Sequence, residues 1–92
     1  MVSNKKIAEM FAGGARRGKS NSMFIEEDAI YSYGHHFPIA VRRRRGEYDF
    51  NEDRYSHTTA MHKVHVRRAL GGSTIFSSNT SGLLARLAKK LR

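Results

Sequence analysis

From Tyr31 to Val41 bulky side chains alternate with smaller ones. Tyr31, Tyr33, His35, Phe37, Ile39 and Val41 interleave with Ser32, Gly34, His36, Pro38 and Ala40. A period of two over this length predicts a β-strand with one large-residue face and one small-residue face. Pro38 cannot donate to a ladder and marks an edge or a bulge, and Gly34 marks a second irregular point. Just beyond, Arg45-Gly46 reads as a hairpin turn. A flush register sets Arg44 opposite Glu47, Arg43 opposite Tyr48, Arg42 opposite Asp49 and Val41 opposite Phe50. Opposite charges then meet on one face, and rings and aliphatic groups on the other.

The flanking segments read as short elements. Ser3 caps a helix over residues 4–12, with Ile7, Met10 and Phe11 on one stripe and Gly13-Gly14 as the stop. Residues 15–22 read as a flexible basic linker. Met23-Phe24-Ile25 is a short strand, and Glu26-Glu27-Asp28 turns the chain. Residues 51–54 form a second turn. Ser56 or Thr58 caps a helix running to about Leu70 and ending at Gly71-Gly72, although Val64-His65-Val66 also suits a strand. Residues 73–78 read as a strand around Ile75-Phe76. Ser81 caps a last helix with Leu84, Leu87, Ala88 and Leu91 on one side, and Arg86, Lys89, Lys90 and Arg92 around the rest. The expected architecture is one α+β domain over residues 1–92. It has an N-terminal helix, a small antiparallel sheet of about three strands, and two C-terminal helices. A chain of 92 residues with 39% apolar content buries a modest core. A partner or self-association as a homodimer would steady it.

Charge is distributed unevenly. The chain carries +9. Residues 1–53 hold nine Lys and Arg with all eight acids, whereas residues 54–92 hold eight Lys and Arg and no acid. A solvated surface mixes both signs, so an acid-free half points to a polyanionic partner, foremost nucleic acid, DNA or RNA. The candidate phosphate contacts are Arg43, Arg54, Lys63, Arg67, Arg68, Arg86, Lys89 and Lys90. Lys63 and Arg67 lie one helical turn apart and share a face. Arg42 and Arg44 are expected to be neutralised across the hairpin. Cysteine is absent, which removes disulfides and thiolate chemistry. The polar residues 1–6 lack the apolar run of a secretory signal, and no stretch approaches the ~20 apolar residues of a membrane span. A cytoplasmic protein without a membrane partner is the expectation.

Gly13 to Ser20 matches the phosphate-loop string G-x-x-x-x-G-K-S. That motif needs a strand before it and a helix after it. Here a helix precedes and a strand follows, which argues for a basic loop instead. The histidines at 35, 36, 57, 62 and 65 show no metalloprotease spacing, and no acid follows Asp53. No metal, cofactor or catalytic residue is assigned from them.

Two segments are distinctive: I-Y-S-Y-G-H-H-F-P-I-A at residues 30–40 and Y-S-H-T-T-A-M-H at residues 55–62. With Tyr31, Ser32, Tyr33, Gly34, His36, Phe37, Pro38, Ile39 and Ala40, then Tyr55, Ser56, Thr58, Thr59 and His62, the chain resembles a family of small domains of unknown function. Phages, viruses and plasmids encode that family. The resemblance covers roughly residues 5–70 and implies a mobile-element accessory protein working in a host cytoplasm. The Arg42–Arg45 run and the basic C-terminal helix depart from it. Tyr31, Tyr33, His36, Thr58, Thr59 and His62 are polar-capable groups in these two segments. Packing of strand on helix would gather them into one hydrogen-bonded cluster, either a structural network or a small ligand site. Three functions compete. The leading one is nucleic-acid binding through Lys and Arg. The second is an inhibitor docking on a host defence protein. The third is a small nuclease using His36 and His62, with the balance leaning away from an enzyme.

Overall fold

A computed structural model describes residues 2–90. The elements are α1 (Asn4–Ala12), β1 (Arg17–Lys19), β2 (Met23–Glu26), β3 (Ala29–Ser32), β4 (Pro38–Arg44), β5 (Glu47–Asn51), α2 (His57–Ala69), β6 (Thr74–Ser78) and α3 (Thr80–Lys90). All six strands join one sheet in sequence order. β1 to β5 are antiparallel neighbours, and β6 runs parallel to β5 after the α2 crossover. The expected sheet of about three antiparallel strands is therefore corrected to a mixed sheet of six.

Three local causes account for the difference. The segment read as a linker supplies β1, because Gly18 lets the strand pass under α1. A Cβ at Gly18 would stand 2.8 Å from Ile7 Cδ1. The phosphate-loop string thus owes its second glycine to close packing. Next, the long alternation at residues 31–41 is two strands, not one. Tyr33 has φ of +66°, a left-handed conformation costly for a ring-bearing residue, and it reverses the chain into a short turn. Finally, β6 extends the sheet beyond the hairpin.

The hairpin turn stands where it was read, with Gly46 at φ +79° and Arg44 opposite Glu47. Its register is corrected. A bulge between Arg42 and Arg44 sets Arg42 opposite Tyr48, Val41 opposite Asp49 and Ala40 opposite Phe50. The extra residue changes the face of every residue that precedes it. As a result Tyr48 and Phe50 lie in the core under the first two helices, while Val41 lies in the core under α3. The flush register would have put Val41 and Phe50 on one face.

Helices cover both faces. α1 and α2 pack on one side, where Ile7, Phe11, Met23, Ile30, Phe50, Val66 and Leu70 are almost fully buried. Caps fall at Ser3, which accepts from Lys6 N–H, and at Ser56, which accepts from Thr59 N–H. α3 covers the other face with Leu83, which packs with Ala29, Tyr31 and Val41. Two details of α3 differ from the sequence reading. Its cap is Asn79, whose Oδ1 accepts from Gly82 N–H at 2.7 Å, not Ser81. Its inner stripe is Leu83, Arg86, Leu87 and Lys90, while Leu84 is exposed. Two carboxylates on that face of the molecule explain the change. Arg86 pairs with Asp49, and Lys90 Nζ lies 3.3 Å from Asp28 Oδ2. Leu91 and Arg92 lie outside the described residues. No helix among the described residues is long and apolar enough to cross a membrane.

Candidate functional site

The eight candidate phosphate contacts separate onto two faces of the sheet. Arg43 and Arg86 both reach Asp49 beneath α3, with Arg43 Nε 3.8 Å from Asp49 Oδ2. The Arg43 guanidinium also covers the Phe76 ring at 4.2 Å. Lys90 is held by Asp28, and Lys89 is exposed on the same helix. Lys90 and Arg86 thus spend their charge holding α3 to the sheet.

Arg54, Lys63 and Arg67 come together on the other side. They line a groove of about 750 Å³ between residues 52–57 and the outer face of α2. Phe50 forms its base, with Arg67 4.4 Å and Lys63 5.8 Å from the ring centre. Tyr55 stands at the rim with 59% of its surface exposed. Its ring rests against Phe37 and His36, and its hydroxyl lies 3.3 Å from His36 Nε2. Arg68 is exposed one residue further along α2. Arg54, Arg68 and Lys89 make no ion pair among the described residues.

Two acids border this groove, and both are engaged. Glu52 accepts from Arg67 at 2.7 Å and from Ser77 Oγ at 3.2 Å. Asp53 directs its carboxylate away to the start of α3, where it accepts from Thr80 N–H at 2.8 Å. That bond holds the Asp53 carboxyl below its ordinary range. Lys63 donates to the Asp53 backbone carbonyl at 2.9 Å. Burial pushes the Lys63 ammonium below its usual value, and the charges of Arg67 and Arg54 add to this against the pull of Glu52 and Asp53. The groove therefore presents crowded, partly desolvated cations beside an exposed ring.

Compared with family models, curated proteins and solved structures, the chain matches none.

The six-residue polar cluster is partly assembled and partly dispersed. His62 is buried at its centre, 1% exposed. Its Nδ1 lies 2.8 Å from Ser32 Oγ, and its Nε2 lies 3.0 Å from Ser22 Oγ. Ser32 Oγ meets Thr59 Oγ1 at 3.0 Å, which also accepts from Ser56 Oγ at 3.0 Å. Ser22 reaches Asn4 Oδ1 at 3.4 Å. Tyr33 contributes its ring, 5.3 Å from that of His62. Tyr31 lies on the α3 side, stacked on Phe24 at 4.8 Å. Thr58 is exposed, and His36 belongs to Tyr55. The network joins α1, α2, β3 and the β1–β2 turn, a role that fits a structural lock.

Sequence reasoning missed Ser22, Ser32 and Asn4 as members of this network. Ser32 carried a signal, since it alternates with Tyr31 and so faces the opposite side. Ser22 and Asn4 carried none, because Ser22 meets His62 across 40 residues of chain and Asn4 joins only through Ser22.

Proposed function

We propose that this chain binds the phosphate backbone of nucleic acid in the α2 groove, as a small accessory protein of a mobile element. The observation that carries the reading is the convergence of Arg54, Lys63 and Arg67 around Phe50, with Tyr55 exposed at the rim. Arginine and lysine supply phosphate contacts without sequence choice. An exposed tyrosine supplies a stacking face for an unpaired base. Single-stranded nucleic acid suits this combination better than a duplex, whose bases are already stacked. The mobile-element setting rests on the likeness of residues 30–40 and 55–62 to phage, virus and plasmid domains.

Fluorescence anisotropy of short labelled DNA and RNA, single- and double-stranded, tests the reading across several salt concentrations. The two groove cations without a carboxylate partner, Arg54 and Lys63, predict a log–log salt slope of about −1.4 on single strands. Arg54→Glu combined with Lys63→Glu weakens binding about tenfold or more and flattens that slope. Lys89→Glu, on the opposite helix layer, has a much smaller effect. Tyr55→Ala weakens single-strand binding selectively, by about 1–3 kcal/mol. Equal losses from the groove and Lys89 variants would remove the groove from the reading.

A second reading is favoured by one observation. Met61 and Val64 are 50% and 40% exposed on α2, between His57 and Arg68 along the same helix face. An apolar centre with basic ends is the composition of a protein-docking helix. In that reading the chain inhibits a host protein by covering its nucleic-acid channel. Met61→Asp then abolishes a salt-tolerant protein complex while leaving nucleic-acid binding intact. His36 and His62 share no hydrogen-bond partner among the described residues, so the two-histidine nuclease gains no support from their arrangement.

A further inference from the structure

The two edges of the sheet are built differently. At one edge β1 is three residues long and carries Arg17 and Lys19, a protected design. At the other edge β6, Thr-Ile-Phe-Ser-Ser, carries no charge and no proline. Phe76 at its centre is 39% exposed.

The hydrogen bonds to β5 fix which main-chain groups of β6 face outward. Thr74 N–H donates to Gly46 O at 2.8 Å, and Ser78 O accepts from Glu52 N–H at 2.9 Å. Residues 74, 76 and 78 therefore turn their peptide groups toward β5. Residues 75 and 77 turn theirs out, by the alternation of a strand. An antiparallel pair forms its hydrogen bonds between outward-facing residues that stand opposite each other. A second copy meets that requirement when it pairs about Phe76. Ile75 then faces Ser77 of the other copy twice over, giving about four main-chain hydrogen bonds. The two Phe76 residues face each other as the closer, non-hydrogen-bonded pair at the symmetry axis.

Carboxylates offset part of the positive charge beside this edge. Beside the edge, Arg67 is paired with Glu52 and Arg43 with Asp49. Ser77 Oγ is bound to that same Glu52 carboxylate. In a chain of net +9, Arg67 is thus paired one to one beside this edge, while Arg43 shares Asp49 with Arg86.

We propose that β6 is a homodimer interface, at which two copies join their sheets edge to edge about Phe76. The symmetry axis then stands perpendicular to the sheet, so both α2 grooves lie on one side of the dimer.

The chain contains no cysteine, which makes a direct test available. Phe76→Cys places two thiols at the axis, within disulfide reach for a non-hydrogen-bonded pair. Mild oxidation is expected to convert this variant to a covalent dimer, whereas Lys89→Cys, on α3, stays mainly monomeric. In parallel, sedimentation equilibrium from micromolar to near-millimolar protein is expected to give twice the chain mass for the wild type. Phe76→Lys and Ser77→Pro are expected to give the single mass with unchanged circular dichroism. Proline at 77 removes an outward N–H and costs β5 no main-chain bond. The proposal is overturned if the wild type stays monomeric throughout, or if the two cysteine variants cross-link alike. It is equally overturned if the edge proves to capture an extended peptide while the chain remains a monomer.

Discussion

Replacing His62 by alanine lowers folding stability by about 2–4 kcal/mol, the combined effect of an emptied core site and stranded hydroxyls. The ring is 1% exposed and occupies the junction of α2 with β3 and the β1–β2 turn. Without it, the Ser32 hydroxyl keeps Thr59, but the Ser22 hydroxyl keeps only its long contact to Asn4. The effect also has a pH signature. Burial foremost, with the nearby charge of His65, lowers the His62 pKa below its usual 6.5. The folded state therefore resists protonation that the unfolded chain accepts near pH 6.5. As pH falls below that value the unfolded state gains a proton first, and wild-type stability declines until the folded-state pKa is passed. Above it both states are neutral and the contribution is complete. Urea denaturation of wild type and His62→Ala at about pH 7.5 and about pH 5.5 isolates this residue from the other histidines. The stability gap between the two proteins is expected to narrow at the lower pH. A gap that is constant, or below about 1 kcal/mol, would refute the buried-lock account.

Arg42→Met is the second large effect, expected at about 2–3 kcal/mol, while Arg43→Met next to it costs about 1 kcal/mol or less. Arg42 is only 13% exposed in its side chain. Its Nη2 donates to Phe11 O at 2.9 Å and to Ala15 O at 3.3 Å, and its Nη1 donates to Asp28 Oδ1 at 3.3 Å. The guanidinium also covers the Phe11 ring at 4.7 Å. A single planar fork thus satisfies carbonyls at the end of α1 and ties them to the β2–β3 turn. Asp28 gains from the same arrangement. Burial alone would raise its pKa, but Lys90, Arg16 and Arg42 outweigh burial and hold the carboxyl below its ordinary value. Its contribution is present above the unfolded value of about 3.9 and is lost as pH falls through the lower folded value. Arg42→Lys recovers less than half of the loss, because a point charge cannot span three acceptors. Thermal melts of the three variants decide the matter. Equal losses at positions 42 and 43 would show that the run acts through net charge alone.

Much of the local structure was legible in the chain. The α1 span, its Ser3 cap and its glycine stop follow from a stripe of three apolar residues and one hydroxyl. The α2 helix with Ser56 as one of its two candidate caps, the Arg45-Gly46 turn and a strand around Ile75-Phe76 were equally local. Arg54, Lys63 and Arg67 stood out because no acid follows Asp53, and two of them lie a helical turn apart. Errors appeared where tertiary demands changed a residue's face. Apolar periodicity alone put Leu84 inward on α3. Asp49 and Asp28 instead drew Arg86 and Lys90 inward and rotated the helix toward Leu83.

The sequence by itself determined where the first two helices begin, where the Arg45-Gly46 turn falls and which half of the chain is basic. Caps, glycines and charge counts act within a few residues, so their physics is written locally. Only the tertiary structure decided the sheet's size, the faces of its residues and the division of the cations. A left-handed Tyr33 split one apparent strand into two, and a bulge at Arg43 put Val41 and Phe50 on opposite faces. Both are strained or irregular points that persist because two cores must be filled at once, one on each face of the sheet. Likewise four of the eight candidate cations, Arg43, Arg67, Arg86 and Lys90, pair with carboxylates brought to them by the fold, and the α2 groove gathers Arg54, Lys63 and Arg67.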